Sequence, residues 1–299
     1  MKKVFICAAA LAMLVSCGGN KAKELVIGEV TYTGEMTEVA FTPTTPNCPA
    51  YVEVNAPEVN LADFPVDEEG FHVLFNGNAE MQGWRGYGKD HIPSRWSVED
   101  GCIKFSGTGM GEGQTGEGGD IIFAHKFQNF IFELEWKVSK GGNSGIFYLG
   151  REIKTQKEDG TWRMQPIYLS SPECQVLDNA NHPDALLGKD NNRQSSSLYD
   201  MIPAVPQNQN PYEQWNKVRI MVYKGTVVHT QNDVNVVEYH LWTPEWTDML
   251  QKSKFSAEKW PLGFELLNNC GGAERKGYFG LQDHGDNVWY RNIRVKVLE

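Results

Sequence analysis

The sequence lacks an excess of basic residues. Its 299 residues include 28 lysines and arginines against 38 aspartates and glutamates, so the formal net charge is −10. Proteins that bind nucleic acids need a basic face to neutralise phosphates, and attraction to anionic lipid also needs positive charge. The composition therefore argues against both partners and leaves neutral or weakly polar ligands.

The sequence also lacks the short motifs that mark common metal and nucleophile sites. It contains no CxxC, HExxH or GxSxG and no EF-hand pattern, and its 7 histidines show no close ligand spacing. No cofactor is predicted, although residues that are distant in the sequence leave a divalent metal open. Four cysteines lie beyond the N-terminal segment, at Cys48, Cys102, Cys174 and Cys270, and several disulfide pairings are compatible with them.

One glycine-rich stretch matches a nucleotide-binding motif in its letters only. Gly111-x-Gly113-x-x-Gly116 has the spacing of a dinucleotide fingerprint. That fingerprint works only between a strand and a helix of a βαβ unit, and no such pattern surrounds it here. We interpret residues 107–119 as a surface loop.

The N-terminal apolar run, Val4–Val15, is too short to span a bilayer comfortably. It follows two lysines and ends at Leu14-Val15-Ser16-Cys17, which resembles the lipobox of bacterial lipoproteins. We therefore predict a lipoprotein signal peptide over 1–16, a lipid on Cys17 and a lipidated tether over 17–23. The chain would then lie in the bacterial cell envelope, in the periplasm or at the outer membrane, attached to a membrane through its lipid only.

Alternating apolar and polar residues predict antiparallel strands in the rest of the chain. Apolar side chains recur at every second position over 130–138, 218–222 and 293–297, and the stretches 227–230 and 234–239 flank a turn at 231–233. This pattern predicts an all-β protein, a β-sandwich or jelly roll. We place the main domain at 71–299, after a β-rich N-terminal extension over 24–70.

One short helix is predicted after Thr243. Threonine is a good N-cap, Pro244 suits the first helical position, and Glu245 favours the positive end of a helix dipole. We interpret this segment as a packing helix on a long loop.

Three short segments carry side chains that suit sugar chemistry. Glu173 and Gln175 project from one face of a predicted strand, and Asp178 follows at its end. His284 follows Asp283 at the end of another apolar strand, where an imidazole can act as a base. The third segment, 141–147, contains Asn143 and precedes Arg151. The alternative for all three is ordinary turns and solvated loops. Tryptophans are also candidates for stacking on sugar rings, but none can be singled out.

These segments, in this order, resemble the 3-keto-disaccharide hydrolase domain family. The resemblance covers residues 71–299 and rests on the following motifs, which the chain presents in family order: Phe71-His72-Val73-Leu74-Phe75-Asn76-Gly77, Gly83-Trp84-Arg85, Gly119-Asp120, Gly142-Asn143-Ser144-Gly145-Ile146-Phe147, Glu173-x-Gln175-x-x-Asp178, Gln214-Trp215-Asn216, Gly280-Leu281-Gln282-Asp283-His284-Gly285 and Tyr290-Arg291-Asn292-Ile293. The segment 199–212 and the helix after Thr243 differ from the family pattern, which leaves substrate preference open.

The resemblance implies a concanavalin A-like jelly roll that cleaves glycosides whose sugar carries a ketone at C3. Such a ketone acidifies the C2 hydrogen, so a base can form an enolate and the C1 oxygen can leave. The resemblance implies catalytic roles and substrate-binding roles for two sets of residues: Glu173, Asp178 and His284 for the proton transfers, and Asn143, Arg151, Gln175, Gln282 and Asp283 for the sugar. Two alternatives remain open, namely direct hydrolysis by two carboxyl groups and a carbohydrate-binding, lectin-like module without catalysis.

Overall fold

The computed structural model describes residues 32–77, 80–108 and 117–299. The predicted signal peptide, Cys17 and its tether, and most of the loop at 107–119 lie outside these ranges. Among the described residues, no helix combines the length and the apolar character that crossing a membrane requires.

The described residues form nineteen strands and two α-helices. The strands are, in chain order, β1 (Tyr32–Thr33), β2 (Thr37–Phe41), β3 (Tyr51–Asn55), β4 (Glu58–Val59), β5 (His72–Phe75), β6 (Trp84–Gly86), β7 (Trp96–Glu99), β8 (Cys102–Phe105), β9 (Ile121–Phe123), β10 (Phe130–Val138), β11 (Asn143–Gly150), β12 (Glu152–Gln156), β13 (Trp162–Met164), β14 (Glu173–Leu177), β15 (Asn216–Tyr223), β16 (Thr226–Gln231), β17 (Val234–His240), β18 (Tyr278–Leu281) and β19 (Val288–Val297). The helices are α1 (Pro244–Lys252) and α2 (Pro261–Asn268), and three short 3₁₀ turns cover Leu61–Asp63, Ile167–Leu169 and Pro183–Leu186.

Two antiparallel sheets form the body of the molecule. The larger has eight strands in the order β17-β16-β15-β10-β19-β8-β7, with β5 also paired to β19, and the smaller has the order β14-β11-β18-β9-β6. They pack face to face through large apolar side chains: the rings of Phe132 and Phe279, from β10 and β18, stack with centroids 3.9 Å apart. Trp136 and Ile293 are fully buried between the sheets. The predicted all-β sandwich is therefore confirmed.

The alternation predicted for β10 determines which face of the strand is buried. Phe130, Phe132, Leu134, Trp136 and Val138 are all buried, as period two requires. The predicted hairpin is β16–β17, whose turn residues both adopt positive φ. Left-handed backbone is tolerated best by glycine, asparagine and aspartate, which explains Asn232 and Asp233 at this turn.

The N-terminal extension hydrogen-bonds directly to the main domain. Its strand β3 pairs with β12 in a third, four-stranded sheet of order β13-β12-β3-β2. The carboxylate of Glu265, in α2, accepts hydrogen bonds from the backbone of Thr44 at 3.1 Å and of Thr45 at 3.0 Å. Burial alone would raise the pKa of Glu265, but the hydrogen bonds from Thr45 and Thr44 outweigh it and lower the pKa. The domain boundaries at 24, 70 and 71 stay predictions.

Buried ion pairs strengthen the same junction. The side chain of Arg85 pairs with Glu152 through two contacts of 2.6 and 2.7 Å, and that of Arg151 pairs with Glu53 at 3.1 Å. We call these four residues the anchor cluster. They connect the five-stranded sheet to the extension, because Arg85 belongs to β6 and Glu53 to β3.

Helix α1 begins as predicted, with the Thr243 hydroxyl accepting a hydrogen bond from the Trp246 backbone at 3.2 Å. Helix α2 was not predicted. Six of its eight residues are buried, so it lacks the polar face that makes a helical period visible in a sequence. All four cysteines in the described ranges are free thiols.

Candidate functional site

A pocket of about 160 Å³ lies on the outer face of the five-stranded sheet. Its walls include five of the predicted site residues and four residues that were not predicted. The lining side chains are Asn143, Tyr168, Glu173, Gln175, Tyr199, Lys254, Trp260, Gln282 and His284. Wider depressions exist on the described surface, one of about 670 Å³, but no predicted site residue lines that one.

Three neighbouring strands bring the predicted residues together. Strand β11 lies between β14 and β18, with Gly145 opposite Gln175, and the Gln282 backbone N–H donates to the Gly145 carbonyl at 3.0 Å. Because side chains alternate along a strand, Glu173 and Gln175 share the outer face, while Cys174 and Val176 are buried in the core. Pairing of these strands thus brings Glu173 and Gln175 close to Gln282, which directly follows β18.

Gly145 leaves the space that the Glu173 carboxylate occupies. A Cβ atom at position 145 would overlap the Oε1 atom of Glu173. The glycine is needed for this close approach rather than for an unusual backbone conformation. The carboxylate is therefore held against the sheet, in a residue only 8% exposed, and this restricts where it can meet a ligand.

Amide side chains supply part of the polar surface of the pocket. The oxygens Asn143 Oδ1 and Gln282 Oε1 are buried and have no hydrogen-bond partner. Gln175 uses its Oε1 to accept from the Val176 backbone at 3.0 Å, which leaves its amide nitrogen as the group it can present to a sugar. Buried polar atoms without partners are costly, so these two oxygens indicate a place for a ligand rich in hydroxyl groups.

His284 forms a cluster with two residues that were not predicted. Its Nε2 lies 3.2 Å from Asn143 Nδ2, and its ring centroid lies 6.0 Å from that of His182. Burial raises the pKa of the neighbouring Asp286, and His284 and His182 oppose that rise. Burial and then His284 lower the pKa of His182. Burial thus favours the neutral forms of His182 and Asp286.

Within the described ranges, His182, His284 and Asp286 are the residues whose spacing suits a metal ion, with ligand atoms within 4.8 Å of one another. The tautomer of His182 works against this use. Its Nδ1 accepts a hydrogen bond from the Asp184 backbone at 3.1 Å, so in the neutral ring Nε2 carries the proton. Metal-bound histidines normally donate from their second nitrogen, and here that nitrogen accepts.

Three predicted site residues do not line the pocket. Asp178 accepts hydrogen bonds from the Gly141 backbone and from Asn181 Nδ2, both at 2.8 Å, and so holds the turn that precedes β11. Asp283 accepts from the Gly119 backbone at 2.8 Å and the Gly285 backbone at 2.9 Å. Both are 1% exposed, and their contacts position the loops around the pocket.

Arg151 is the third, and the structure places it in the anchor cluster. Its guanidinium contacts Glu53 and the Leu266 carbonyl, at 3.1 and 3.5 Å. A sequence shows that an arginine follows a strand but not which way its long side chain turns. The expected contact between Arg151 and the substrate therefore has no support in its position.

The four unpredicted residues form the other wall of the pocket. Tyr168 and Trp260 lie with ring centroids 5.8 Å apart, and Trp260 is 38% exposed at the rim. Tyr199 begins one of the two segments that depart from the family pattern, and Lys254 lies two residues after the other, α1. That departure was the only signal in the sequence, and it gave no information about which side chains face the pocket.

Comparisons with known proteins agree with this fold. The profile of the family described as "3-keto-alpha-glucoside-1,2-lyase-like domain" matches residues 70–296. A curated relative from Bacteroides thetaiotaomicron, named 3-keto-disaccharide hydrolase, is 60% identical over 303 aligned residues, which span 100% of both chains.

Two crystal structures from Parabacteroides distasonis, named as candidate glycosyl hydrolases, share the fold. One is 23% identical with a TM-score of 0.61 and covers 79% of this chain and 99% of its own. The other is 22% identical with a TM-score of 0.53 and covers 76% and 99%. At such identities the likeness establishes the fold alone.

The resemblance predicted from the sequence is confirmed, and with it the prediction of a carbohydrate-active enzyme of this class. Since the family profile covers most of the chain and a relative matches its full length, the chain belongs to the 3-keto-alpha-glucoside-1,2-lyase-like domain family.

Proposed function

We propose that the chain cleaves 3-keto-glycosides in the pocket on the five-stranded sheet, by removing the C2 proton of the oxidised sugar. One observation carries the proposal. A carboxylate that the sheet holds in place, Glu173, shares a small pocket with buried amide oxygens that have no partner. The name of the relative from Bacteroides thetaiotaomicron supplies the substrate class.

The size of the pocket limits what it can hold. Pockets for drug-sized ligands are typically ~300–1,000 Å³, whereas this one has about 160 Å³. We therefore place a single sugar ring inside it, with the leaving group outside and against the exposed ring of Trp260. Indole faces pack well on the C–H faces of sugars, which suits this rim position.

In the proposed reaction, Glu173 takes the proton from C2 and the electron pair moves towards the C3 ketone, giving an enolate. The ketone then re-forms, a C1=C2 double bond appears, and the C1–O bond breaks with its electron pair on the departing oxygen. His284 gives that oxygen a proton. Water then adds its oxygen to C1 and a proton to C2, so the net result is hydrolysis.

Release of the leaving group tests the proposal directly. We expect turnover of a p-nitrophenyl 3-keto-glucoside and none of the unoxidised glucoside, because only the ketone acidifies C2. Glu173→Gln keeps the size of the side chain but removes the base, so we expect about a 10²- to 10⁴-fold lower kcat. Glu238→Gln, an exposed change on β17, is the matched control and should leave kcat unchanged.

Solvent deuterium separates elimination from direct hydrolysis. If water adds across a C1=C2 double bond, the sugar formed early in a reaction in D₂O carries deuterium at C2. Direct hydrolysis by two carboxyl groups leaves the C2 hydrogen in place. A wild-type chain that binds the ketosugar but releases nothing would instead indicate the lectin-like module.

We also propose that the mature chain is anchored in the bacterial cell envelope by lipid on Cys17. The basic and apolar start followed by Leu14-Val15-Ser16-Cys17 supports this. Cys17→Ala should move the chain from the membrane fraction to the soluble fraction. A wild-type chain that retains Met1 and stays in the soluble fraction would contradict the proposal.

A further inference from the structure

The pocket contains one lysine or arginine among the residues that line it, and that residue is Lys254. Its ammonium lies 4.3 Å from the centroid of Tyr199 and 5.9 Å from that of Trp260, two rings that also line the pocket. It also lies 5.0 Å from the ring of Phe255. The nitrogen therefore lies close to three aromatic rings.

A short turn connects Lys254 to the strand that carries Glu173. The Tyr199 backbone N–H donates to the Glu173 carbonyl at 3.1 Å. The next residue, Asp200, accepts from the Lys254 backbone N–H at 2.9 Å. Asp200 is itself fixed by Arg193 at 2.7 Å. The backbones of the proposed base and of the lysine are thus held in one hydrogen-bonded arrangement.

Lys254 is partly buried, so its ammonium is less well hydrated than that of a surface lysine. Burial lowers its pKa, and the opposing effects of Glu173 and Asp200 do not restore the usual value. A desolvated ammonium gains most from a negative charge that develops beside it in the same pocket. An enolate oxygen carries such a charge, and Arg151, the other cationic side chain expected to bind the sugar, lies in the anchor cluster.

We propose that Lys254 donates a hydrogen bond to the C3 oxygen of the oxidised sugar and stabilises the negative charge that forms there when C2 loses its proton. This rests on the proposed function, because only a 3-keto sugar places a carbonyl oxygen next to C2. Lys254 forms no covalent bond to the sugar. The proton moves from C2 to Glu173, and the electron pair moves to the C3 oxygen. That pair then returns to form the C1=C2 double bond when the ketone re-forms. Lys254 is thus a catalytic residue that was not predicted from the sequence.

Enolisation can be measured without cleavage, as exchange of the C2 hydrogen of 3-keto-glucose in D₂O followed by NMR. We expect Lys254→Met to slow both this exchange and the cleavage of a 3-keto-glucoside by about 10²- to 10³-fold. Lys254→Arg, which keeps the charge, should recover part of the loss and serves if the methionine variant folds poorly. Lys259→Met, an exposed change in the same segment that does not line the pocket, should behave as the wild type.

The outcomes separate the two proposals. Wild-type protein that neither cleaves nor exchanges contradicts the proposed function. Wild-type activity together with near-normal exchange in folded Lys254→Met overturns the role of Lys254 and leaves the function standing. Borohydride reduction during turnover is a third arm: a sugar trapped on Lys254 would show an imine and would also overturn the hydrogen-bonding role.

Discussion

The anchor cluster and the pocket both contain buried polar groups at the five-stranded sheet, but the two regions differ in the partners that these groups have. In the anchor cluster, each arginine meets a carboxylate, as in the Arg85–Glu152 pair, whose side chains are both 2% exposed. In the pocket, the oxygens of Asn143 and Gln282 are buried without any partner. Each charge in the anchor cluster has an opposite charge beside it, although the Nε atoms of Arg85 and Arg151 lack a hydrogen-bond partner. The unpartnered oxygens of the pocket instead belong to neutral amides that line a cavity.

This difference teaches how to assign a buried polar residue. Pairing a buried charge makes it expensive to remove, because its partner is then left uncompensated. An unpaired buried oxygen already costs free energy in the folded chain, so its removal has the opposite sign. A substitution in the anchor cluster should therefore lower stability and leave activity nearly unchanged. A substitution of an unpartnered pocket residue should lower activity without lowering stability.

The largest effect on stability is expected from Arg85→Met in the anchor cluster. Loss of one partner of a fully buried pair should lower the free energy of unfolding by about 3–5 kcal/mol. Urea unfolding followed by circular dichroism measures it. The control is Lys217→Met, which removes an exposed partner of Asp233 and should change stability by less than about 1 kcal/mol. Equal effects of the two changes would contradict the distinction drawn here.

The buried His229 is a further example of a polar group with partners inside the chain, because both of its ring nitrogens have a hydrogen-bond partner. His229 Nε2 lies 2.7 Å from the Tyr148 hydroxyl and Nδ1 lies 2.9 Å from the Ser196 carbonyl. Burial lowers the pKa of His229 from its usual 6.5 to about 4. Between these values the unfolded chain binds a proton that the folded chain does not, so stability is lost as pH falls from 6.5 towards 4.

The full loss amounts to about 3 kcal/mol, at 1.36 kcal/mol per pKa unit. Urea unfolding of the wild type and of His229→Gln across this pH range tests it. The variant should show a correspondingly weaker pH dependence, whatever its absolute stability. An unchanged slope would show that other groups cause the acid sensitivity.

The smallest stability change is expected from Gln282→Met, which is best compared with a methionine variant in the anchor cluster. Gln282→Met removes an unpartnered buried oxygen, so the free energy of unfolding should stay level or rise by up to about 1 kcal/mol. Its kcat/KM for a 3-keto-glucoside should fall at least about tenfold, because a hydrogen-bond acceptor for the sugar is lost.

Arg151→Met is the matched variant in the anchor cluster. It should lower the free energy of unfolding by about 2 kcal/mol, less than Arg85→Met, since Glu53 keeps Lys126 as a second partner at 3.4 Å. Its kcat/KM should stay close to that of the wild type. Lost turnover in a stable Arg151→Met protein would restore the role first expected from the sequence.

Much of the fold can be predicted from local patterns in the sequence. The alternation over 130–138 determines which face of β10 is buried, and Thr243 and Pro244 mark the start of α1. Helix α2 was not predicted, because it is buried on nearly all sides and lacks the polar stripe on which such a prediction depends.

The pocket was predictable only where it lies on the sheet. Glu173, Gln175 and Gln282 meet because strand pairing and alternation are regular, and both can be inferred from a sequence. Lys254 lies on an irregular segment, where no periodicity tells which way a side chain turns. Arg151 follows a regular strand, but its guanidinium lies several bonds from the backbone and turns towards Glu53.

The space at Gly145 has a consequence for how relatives of this chain can vary. Since a Cβ at that position would overlap the Glu173 carboxylate, any larger residue at 145 would force that carboxylate to move. In an alignment, an alanine or serine in place of the glycine should coincide with a shorter acid or a non-acid opposite it. A relative that carries both a side chain at 145 and a glutamate at 173 should have a displaced carboxylate, and hence a different reaction or none.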